Sequence, residues 1–490
     1  MGGESVVREF RRRTSQSTEL NAQMITTDTE QSVAGRPVAN RGNVVLNAAR
    51  RAAAYLEAID ERPVAPAPEA VAALNRFADL LPELGETPDA VLALLDEVGS
   101  PATVATTGGR YFGFVIGGSV PAALAANILA AAWDQNAALR VMSPVAAALE
   151  DVALAWSREL LGLPPACAGS LVTCATMANF TCVLAARGAL LAKLGWNVEA
   201  KGLFGAPPFR VLVGEECHIS VRKGLSMAGL GRDRVEVIPA DAQGRMRVDA
   251  FPKLDSPALI CIQAGNVNTG NFDPAREICA MAQETQSWVH VDGAFGLWAN
   301  CSPARRHLLE SFCDADSWAT DAHKWLNVPY DCGLAFVRDA EALYRAMNMH
   351  ASYLQPDVLR DPMQWTPEMS RRARGVELWA TLKSLGRAGV GDLIERTCTH
   401  AQRFAARLSA AGFEILNDVV SNQVLVSFGA DETTQAVIAA VQRDGTCWCG
   451  PSFWHGKAAM RISVSSWVTN EDDVTRSLDA IIRIAKEIRP

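Results

Sequence analysis

The sequence predicts an α/β protein with a mostly parallel sheet in a large domain and a smaller α+β domain at its carboxyl end. Between residues 99 and 350, short runs rich in β-branched residues alternate with helical patterns, which is typical of βα units. These runs are apolar enough to be covered on both faces, as the strands of a parallel sheet are. From residue 351 to 490, a polar loop with prolines leads into helical and alternating patterns, which predict a mobile loop and the second domain.

The elements follow in order along the chain. Residues 1–40 are polar and lack periodicity, so we expect a flexible arm. Residues 41–98 predict a helical segment, with helices at 44–59, 71–81 and 87–97, interrupted by the three prolines of "ERPVAPAPEA". The candidate strands of the large domain are "SLVTC", "RVLVGEE", "ALICIQA", "SWVHVDG", "SWATDA" and "GLAFVRD". In the small domain we expect helices at 375–386 and 391–411, the strands "NQVLVSF" and "AMRISVS", and an amphipathic last helix.

Composition excludes several function classes. The net charge is -8 and the lysines and arginines are scattered, so no nucleic-acid partner is expected. The 12 cysteines form no C-x-x-C pair, which argues against a zinc module, a disulfide framework or another metal site and favours a reducing, cytoplasmic location. The longest uncharged run, from Leu160 to Ala186, contains two prolines and two glycines, so we expect no membrane span.

The run "WVHVDGAFG" places His290, Asp292 and Ala294 at alternating positions at the end of a strand. Their side chains therefore face one side of the sheet. In an open α/β sheet, ligands bind at the carboxyl ends of the strands. Taken alone, an aspartate next to a glycine more often caps a simple turn, so Asp292 by itself does not identify a site.

The run "SLVTCATMANFTCVLAAR" predicts a strand, a turn of small residues and a helix over residues 177–194. Small side chains at Cys174 and Ala175, with Thr176 at the helix start, leave backbone N–H groups free to bind an anion such as a phosphate. The alternative is a plain N-cap at Thr176. The chain has no G-x-G-x-x-G and no G-x-x-x-x-G-K-[ST] motif, so neither a dinucleotide nor a nucleoside triphosphate is indicated.

Two further predicted strands are followed by side chains that can take part in catalysis. His218 follows a strand in "EECHISVRKG", and Lys324 follows another in "DADSWATDAHKWLN". A lysine among apparently buried residues costs free energy unless something uses it. Pyridoxal phosphate needs a lysine to form a Schiff base, a carboxylate at its ring nitrogen, a ring stacked on its face and donors for its phosphate. The four strand ends together supply that set.

The motifs "HVDGAFG" and "DAHKWLNVPYDCG" resemble those of the group II pyridoxal-phosphate-dependent amino acid decarboxylases, and the resemblance runs from about residue 110 to 465. It implies a fold like that of aspartate aminotransferase and an obligate homodimer with shared active sites. The roles that it implies are the Schiff-base lysine for Lys324, the pyridinium partner for Asp292, the stacking base for His218, packing under the ring for Ala294, support of the aspartate for His290, and phosphate binding for His323, Ala175 and Thr176.

The chain departs from the family pattern at the residue expected to protonate the product. Many members have a tyrosine a few residues before the tryptophan that matches Trp365, whereas "LQPDVLRDPMQW" has Pro362 there. A proline cannot supply a proton. Tyr353 is the nearest substitute, and His218 is an alternative whose position at a strand end is better fixed.

Other contacts are expected from the same resemblance. Where many members have threonines, "GNVNTG" offers Asn266 and Asn268 near the cofactor O3′ group. Ser370 and Arg371 resemble the segment that reaches the partner's phosphate, with a solvated helix start as the alternative. For substrate binding, the candidates are Tyr111, Phe112 and Arg461, although aromatic residues at this spacing are often core and Arg461 could form a structural ion pair.

We therefore expect an enzyme that decarboxylates an L-amino acid to the corresponding amine and carbon dioxide. The alternatives on the same cofactor are a transaminase, an aldolase-type lyase and an oxidative deaminase. A protein that binds pyridoxal phosphate without turnover is a third reading, from a different class.

Overall fold

The computed structural model describes residues 41–78, 80–349 and 359–488. The expected amino-terminal arm and Tyr353 lie outside the described residues. The chain forms two compact units, Met1–Ala58 with Pro68–Ala102, and Ile59–Ala67 with Thr103–Pro490. The proline-rich segment Ile59–Ala67 belongs to the second unit because its backbone pairs there: Val64 N–H donates to the Gly445 carbonyl at 2.8 Å.

The first unit is helical, as the sequence predicts. Its helices are α1 (Arg41–Glu57), α2 (Pro68–Ala72), α3 (Pro88–Leu94) and α4 (Ser100–Ala102). A 3₁₀ turn, Ala73–Phe77, replaces the second half of the expected helix at 71–81. Thr87 caps α3, since its hydroxyl accepts the Ala90 N–H at 3.3 Å and a proline occupies the first turn.

The second unit contains a seven-stranded sheet with the order β2-β8-β7-β6-β5-β3-β4. Its strands are β2 (Ala168–Val172), β3 (Arg210–Gly214), β4 (Val235–Ile238), β5 (Ala258–Gln263), β6 (Trp288–Asp292), β7 (Ser317–Asp321) and β8 (Gly333–Val337). The pairs β3–β4, β3–β5, β5–β6 and β6–β7 are parallel, whereas β8 is antiparallel to both β2 and β7. The predicted mostly parallel sheet is confirmed, and only β4, a partly exposed edge strand, was not expected.

Both faces of this sheet are covered, which explains its continuous apolar strands. One face packs on α6 (Pro144–Leu160), α10 (Ala275–Glu284) and the first half of α12 (Gly375–Ala410). The other face packs on α7 (Ala175–Lys193), α9 (Ile219–Met227) and α11 (Ala340–Met347). Of the described helices, α7 alone is long and apolar enough to cross a membrane, but it packs against β6, β7 and β8.

A second, smaller sheet has the order β1-β11-β12-β10-β9. Its strands are β1 (Tyr111–Phe112), β9 (Glu414–Ile415), β10 (Gln423–Ser427), β11 (Trp448–Trp454) and β12 (Lys457–Ser463). The helices α13 (Asp431–Asp444) and α14 (Glu471–Ile488) pack on it, and α5 (Pro121–Trp133) and α8 (Val198–Lys201) complete the unit. The break predicted between two helices near residue 386 falls at Gly386, whose φ of 63° favours glycine.

The strand directions determine the edge of the sheet at which the candidate site lies. Because β8 is antiparallel to both of its neighbours, β2 runs in the same direction as β7, and β3, β5 and β6 run parallel to β7. The carboxyl ends of these five strands therefore lie at one edge of the sheet. Asp292 is the last residue of β6, and the segments that follow the other four strands contain Ala175, His218, Gly265 and Lys324.

Candidate active site

A cavity of about 300 Å³ lies among these strand ends. It is lined by Phe114, Val115, His218, Gln263, Gly265, Val267, Asp292, Ala294, Phe295, Lys324 and Arg461. Five residues predicted from the sequence to belong to the site line this one cavity, although most are far apart in the chain. They are His218, Asp292, Ala294, Lys324 and Arg461.

Asp292 ends β6 with its side chain buried. Its Oδ1 accepts the Ala294 N–H at 3.2 Å, and its Oδ2 accepts the Ser220 hydroxyl at 3.4 Å. Among the described residues, no lysine, arginine or histidine nitrogen forms an ion pair with this carboxylate. A buried carboxylate without a cationic partner is costly, and it suits a ligand that brings a positive charge.

A chain of hydrogen bonds connects Asp292 to the interior. His290, which burial keeps neutral by lowering its pKa to about 4, donates from Nε2 to Asn179 Oδ1 at 2.9 Å. The Asn179 amide donates to the Ser220 hydroxyl at 3.2 Å, and that hydroxyl reaches Asp292. His290 therefore acts on Asp292 through Asn179 and Ser220, not by direct contact.

The same serine orients His218. This residue is the N-cap of α9, and its Nδ1 accepts the Ser220 N–H at 3.2 Å. The Ser220 hydroxyl has a single proton, which it donates either to this nitrogen at 2.7 Å or to Asp292 Oδ2 at 3.4 Å. Burial lowers the pKa of His218, so the ring is neutral near pH 7. Because Nδ1 is an acceptor, the ring proton lies on Nε2.

Ser220→Ala should lower kcat about tenfold while leaving the cofactor bound, since it removes a hydrogen bond to Asp292 and releases the His218 ring. Steady-state kinetics of the loaded enzyme measure this effect. Ser226→Ala, at a half-buried position in the last turn of the same helix, is the control. An unchanged kcat in Ser220→Ala would mean that the hydrogen-bond chain has no part in turnover.

Lys324 lies three residues beyond β7, with its Nζ 3.1 Å from Asp321 Oδ2. The neighbouring Trp325 is fully buried and donates from Nε1 to the Thr397 hydroxyl at 2.8 Å. Asn327 adopts a positive φ of 57° and bonds to the backbone carbonyls of both Trp325 and Ser465. These anchors hold the lysine at the cavity, with 22% of its side chain exposed.

The start of α7 is the segment where the sequence predicts an anion-binding site. The helix begins at Ala175, with Cys174 as a N-cap that makes no side-chain capping bond, so the plain N-cap at Thr176 is not observed. The Ala175 N–H donates to Asp321 Oδ1 at 2.6 Å. His323 is buried nearby, and its Nδ1 accepts the Cys332 N–H at 3.1 Å. The His323 Nε2 is 3.7 Å from Asp321 Oδ2.

The comparisons with known proteins decide the family. Residues 85–430 match the pyridoxal-dependent decarboxylase conserved domain. The chain belongs to this family. It is 29% identical over 442 residues to L-2,4-diaminobutyrate decarboxylase of Rhizobium meliloti, with 84% of each chain covered. It is 28% identical over 379 residues to aromatic-L-amino-acid decarboxylase of Drosophila lebanonensis, covering 71% of this chain and 91% of that relative.

The solved structures show the same fold. The Oryza sativa TDC with PLP and tryptamine superposes with a TM-score of 0.85 at 21% identity, covering 93% of this chain and all of that one. The expectations of a fold type I architecture, a pyridoxal phosphate cofactor and decarboxylation of an amino acid are confirmed. The protein is therefore a pyridoxal-phosphate-dependent carboxy-lyase.

The residues of this decarboxylase fit its cofactor. Lys324 offers an amine, Asp292 offers a buried carboxylate without a cation, and α7 offers a helix start without a side-chain cap. His323 offers a ring nitrogen on the same side as that helix start. Gly333 allows the close approach of β8, since a Cβ there would lie 2.6 Å from the Cys174 carbonyl carbon.

The side chains of Asn266 and Asn268, which were expected near the cofactor, form hydrogen bonds outside the cavity. Asn266 Oδ1 accepts the N–H groups of Asn268 and Thr269, and Asn268 Oδ1 accepts the Ser452 hydroxyl at 2.6 Å. Neither side chain lines the cavity, where this loop presents Gly265 and Val267 instead. A sequence of polar residues in a turn does not reveal which of them stabilise the turn itself.

The two loop residues expected to reach a phosphate also have other contacts. Ser370 is exposed and accepts a hydrogen bond from Asn136 Nδ2 at 3.1 Å. Arg371 is buried in a bidentate pair with Glu150 at 2.7 and 2.8 Å, so the alternative of a solvated helix start is wrong for it.

Of the three residues expected to bind the substrate, only Arg461 lines the cavity. Phe112 is wrong, because it is fully buried in the small domain with its ring edge-on to Phe404 at 5.0 Å. Tyr111 stacks on Trp448 at 5.2 Å and does not line the cavity. Arg461 does line it, and Nη1 donates to the Val267 carbonyl at 3.3 Å. No described carboxylate forms an ion pair with Arg461, so the structural ion pair considered for it is not observed.

Sequence reasoning missed most of the cavity's apolar wall, which consists of Phe114, Val115, Val267 and Phe295. Phe114 and Val115 have positive φ angles of 51° and 60°. The sequence "YFGFVIGG" does not predict this conformation, which is uncommon for residues other than glycine. Gln263 was detectable, because it is a polar residue at the carboxyl end of the otherwise apolar strand "ALICIQ".

Proposed function

We propose that this decarboxylase acts on an L-amino acid in the cavity at the carboxyl edge of the large sheet. Lys324 would hold the cofactor covalently, Asp292 would pair with its ring nitrogen and His218 would pack on its ring. The observation that carries the proposal is that these three side chains line one cavity of about 300 Å³. Decarboxylation as such follows from the family, and the assignment of roles to residues is the new step.

When bound, pyridoxal phosphate accepts the electron pair left behind as the bond between the α-carbon and the carboxylate breaks. The chain's own contribution is electrostatic. The Asp292 carboxylate would stabilise a proton on the ring nitrogen, since an ion pair is favoured when the buried carboxylate has no other cation. Ser220 and the Ala294 N–H fix the orientation of that carboxylate.

A proton must then reach the α-carbon to complete the amine. Within the described residues, the Nε2–H of His218 is a candidate donor, because Nδ1 is engaged with Ser220 and the ring lines the cavity. The role expected for Tyr353 stays a prediction. Lys324, once released from the cofactor, is the next candidate.

The cavity offers a substrate one arginine side chain and several apolar side chains. Arg461 is held by a backbone carbonyl and has no acidic partner among the described residues, so we propose that it binds a substrate carboxylate. Phe114, Val115 and Phe295 favour an apolar side chain. The proposal therefore extends to L-amino acids with an apolar or aromatic side chain.

Product analysis tests this function. The loaded enzyme is incubated with a panel of amino acids, and carbon dioxide, amine, aldehyde and ammonia are measured for wild type, His218→Ala and Tyr353→Phe. We expect equal amounts of carbon dioxide and amine from wild type. A loss of amine in one variant identifies the proton donor, and unchanged product ratios in both would assign the proton to another group. Transfer of the amino group without carbon dioxide would contradict the proposal.

We also propose a homodimer with shared active sites. Exposed apolar side chains follow one another from α5 to the start of α6, at Ile128, Leu129, Trp133, Val141, Met142 and Val145. A run of this kind favours burial against another protein surface. Support also comes from the resemblance of the sequence to obligate dimers.

Val141→Asp should therefore weaken the dimer, because it places a charge where 84% of an apolar side chain is exposed. Sedimentation velocity over a range of concentrations measures the effect. Phe204→Asp is the matched control, since Phe204 is 98% exposed and lies between α8 and β3, outside the run from α5 to α6. A wild-type protein that is monomeric and fully active at low concentration would contradict the dimer.

A further inference from the structure

Asp321 has contacts that the proposed mechanism does not use. It ends β7, and 2% of its side chain is exposed. Its Oδ2 lies 3.1 Å from Lys324 Nζ, and its Oδ1 accepts the Ala175 N–H at 2.6 Å. One buried carboxylate therefore engages both the lysine proposed to carry the cofactor and a backbone donor proposed to hold its phosphate.

The surroundings of Asp321 show which contact offsets its charge. A buried carboxylate needs a cation or strong hydrogen bonds, and the start of α7 supplies one charge-assisted bond. His323 contributes less, because its Nε2 is 3.7 Å away and burial lowers its pKa, which keeps the ring neutral near pH 7. Lys324 is thus the cation that balances Asp321 in the structure described.

A phosphate ester at the start of α7 is a second anion. It needs the N–H group that Asp321 already accepts, and it is attracted by the same ammonium group. Two like charges within a few ångströms in a poorly hydrated site repel each other. We propose that Asp321 is an internal anion that competes with the cofactor's phosphate and so limits the affinity of the unloaded enzyme for pyridoxal phosphate. This inference rests on the proposed roles of Lys324 and Ala175.

The variant Asp321→Asn distinguishes the effect of the negative charge of Asp321 from the effect of its hydrogen bond to Ala175. The asparagine keeps an oxygen that can accept the Ala175 N–H, while the negative charge is removed. Asp316→Asn is the matched control. Asp316 lies just before β7, at the opposite edge of the sheet, where its carboxylate accepts the Val289 N–H at 2.8 Å. The Asp316→Asn control removes the charge of a partly buried carboxylate and leaves the start of α7 unchanged.

The experiment measures dissociation constants of the unloaded enzymes for pyridoxal phosphate, for pyridoxal, which lacks the phosphate, and for inorganic phosphate. Calorimetry and absorbance provide readouts that do not depend on turnover. For Asp321→Asn we expect inorganic phosphate to bind about tenfold more tightly, and the preference for pyridoxal phosphate over pyridoxal to rise by a similar factor. Asp316→Asn should match wild type.

An unchanged or reduced preference for the phosphorylated ligand in Asp321→Asn would overturn the inference. A reduced preference would show that Asp321 supports phosphate binding, for instance through His323. Attachment of the cofactor to another lysine would contradict the proposed function instead. The titration with inorganic phosphate would still decide the role of Asp321, because it does not depend on Lys324 forming a bond.

Discussion

Lys324→Ala should abolish covalent cofactor attachment and reduce turnover to background, while the protein still folds. Among the described residues, Lys324 is the only lysine that lines the cavity, so no other amine described there can replace it. Its removal leaves Asp321 without its cation, which should cost a few kcal/mol of stability. A protein of this size with three large buried cores should tolerate that loss.

Absorbance of the cofactor, circular dichroism and amine production measure these three effects on the same preparation. Lys223→Ala, which changes an exposed lysine on α9, serves as the control and should behave like wild type. Retained turnover in Lys324→Ala would move the site to another lysine.

Asp292→Asn should lower turnover by on the order of a hundredfold or more, the loss expected when an electrostatic catalytic group is neutralised. The amide keeps an oxygen for the Ala294 N–H, so the end of β6 should retain its conformation. It cannot stabilise a positive charge on the ring nitrogen, and cofactor binding should weaken as well.

Rates for this variant are compared per molecule of bound cofactor, so that weaker binding is not mistaken for slower chemistry. Asp316→Asn, at the opposite edge of the sheet, is expected to retain activity. Near-normal turnover of Asp292→Asn would exclude the role assigned to this carboxylate.

The core of the site could be predicted because its residues directly follow strands. Asp292 is the last residue of β6, and Lys324 lies three residues after β7. A strand pattern in the sequence fixes both the end of the strand and the edge of the sheet at which the next side chains lie. The short distance along the chain from each strand leaves little conformational freedom.

The remaining contacts depend on parts of the chain that are distant in sequence. Phe112 became a core residue because the two-residue strand β1 pairs in parallel with β11, more than 300 residues later. Arg371 is buried because Glu150 on α6 meets it, and Asn266 stabilises its own turn. The role of Asp321 was not visible in "SWATDAHKW", since its partner Ala175 comes from the helix after β2. Local patterns carry no information about such pairs.

The most direct test of the account is to reduce the loaded enzyme with borohydride and to map the modified peptide by mass spectrometry. Reduction fixes the cofactor to the lysine that holds it. We predict a single pyridoxyl group on Lys324, within the peptide that contains "DAHKWLN". A pyridoxyl group on Lys223 or on any other lysine, with Lys324 unmodified, would contradict the account.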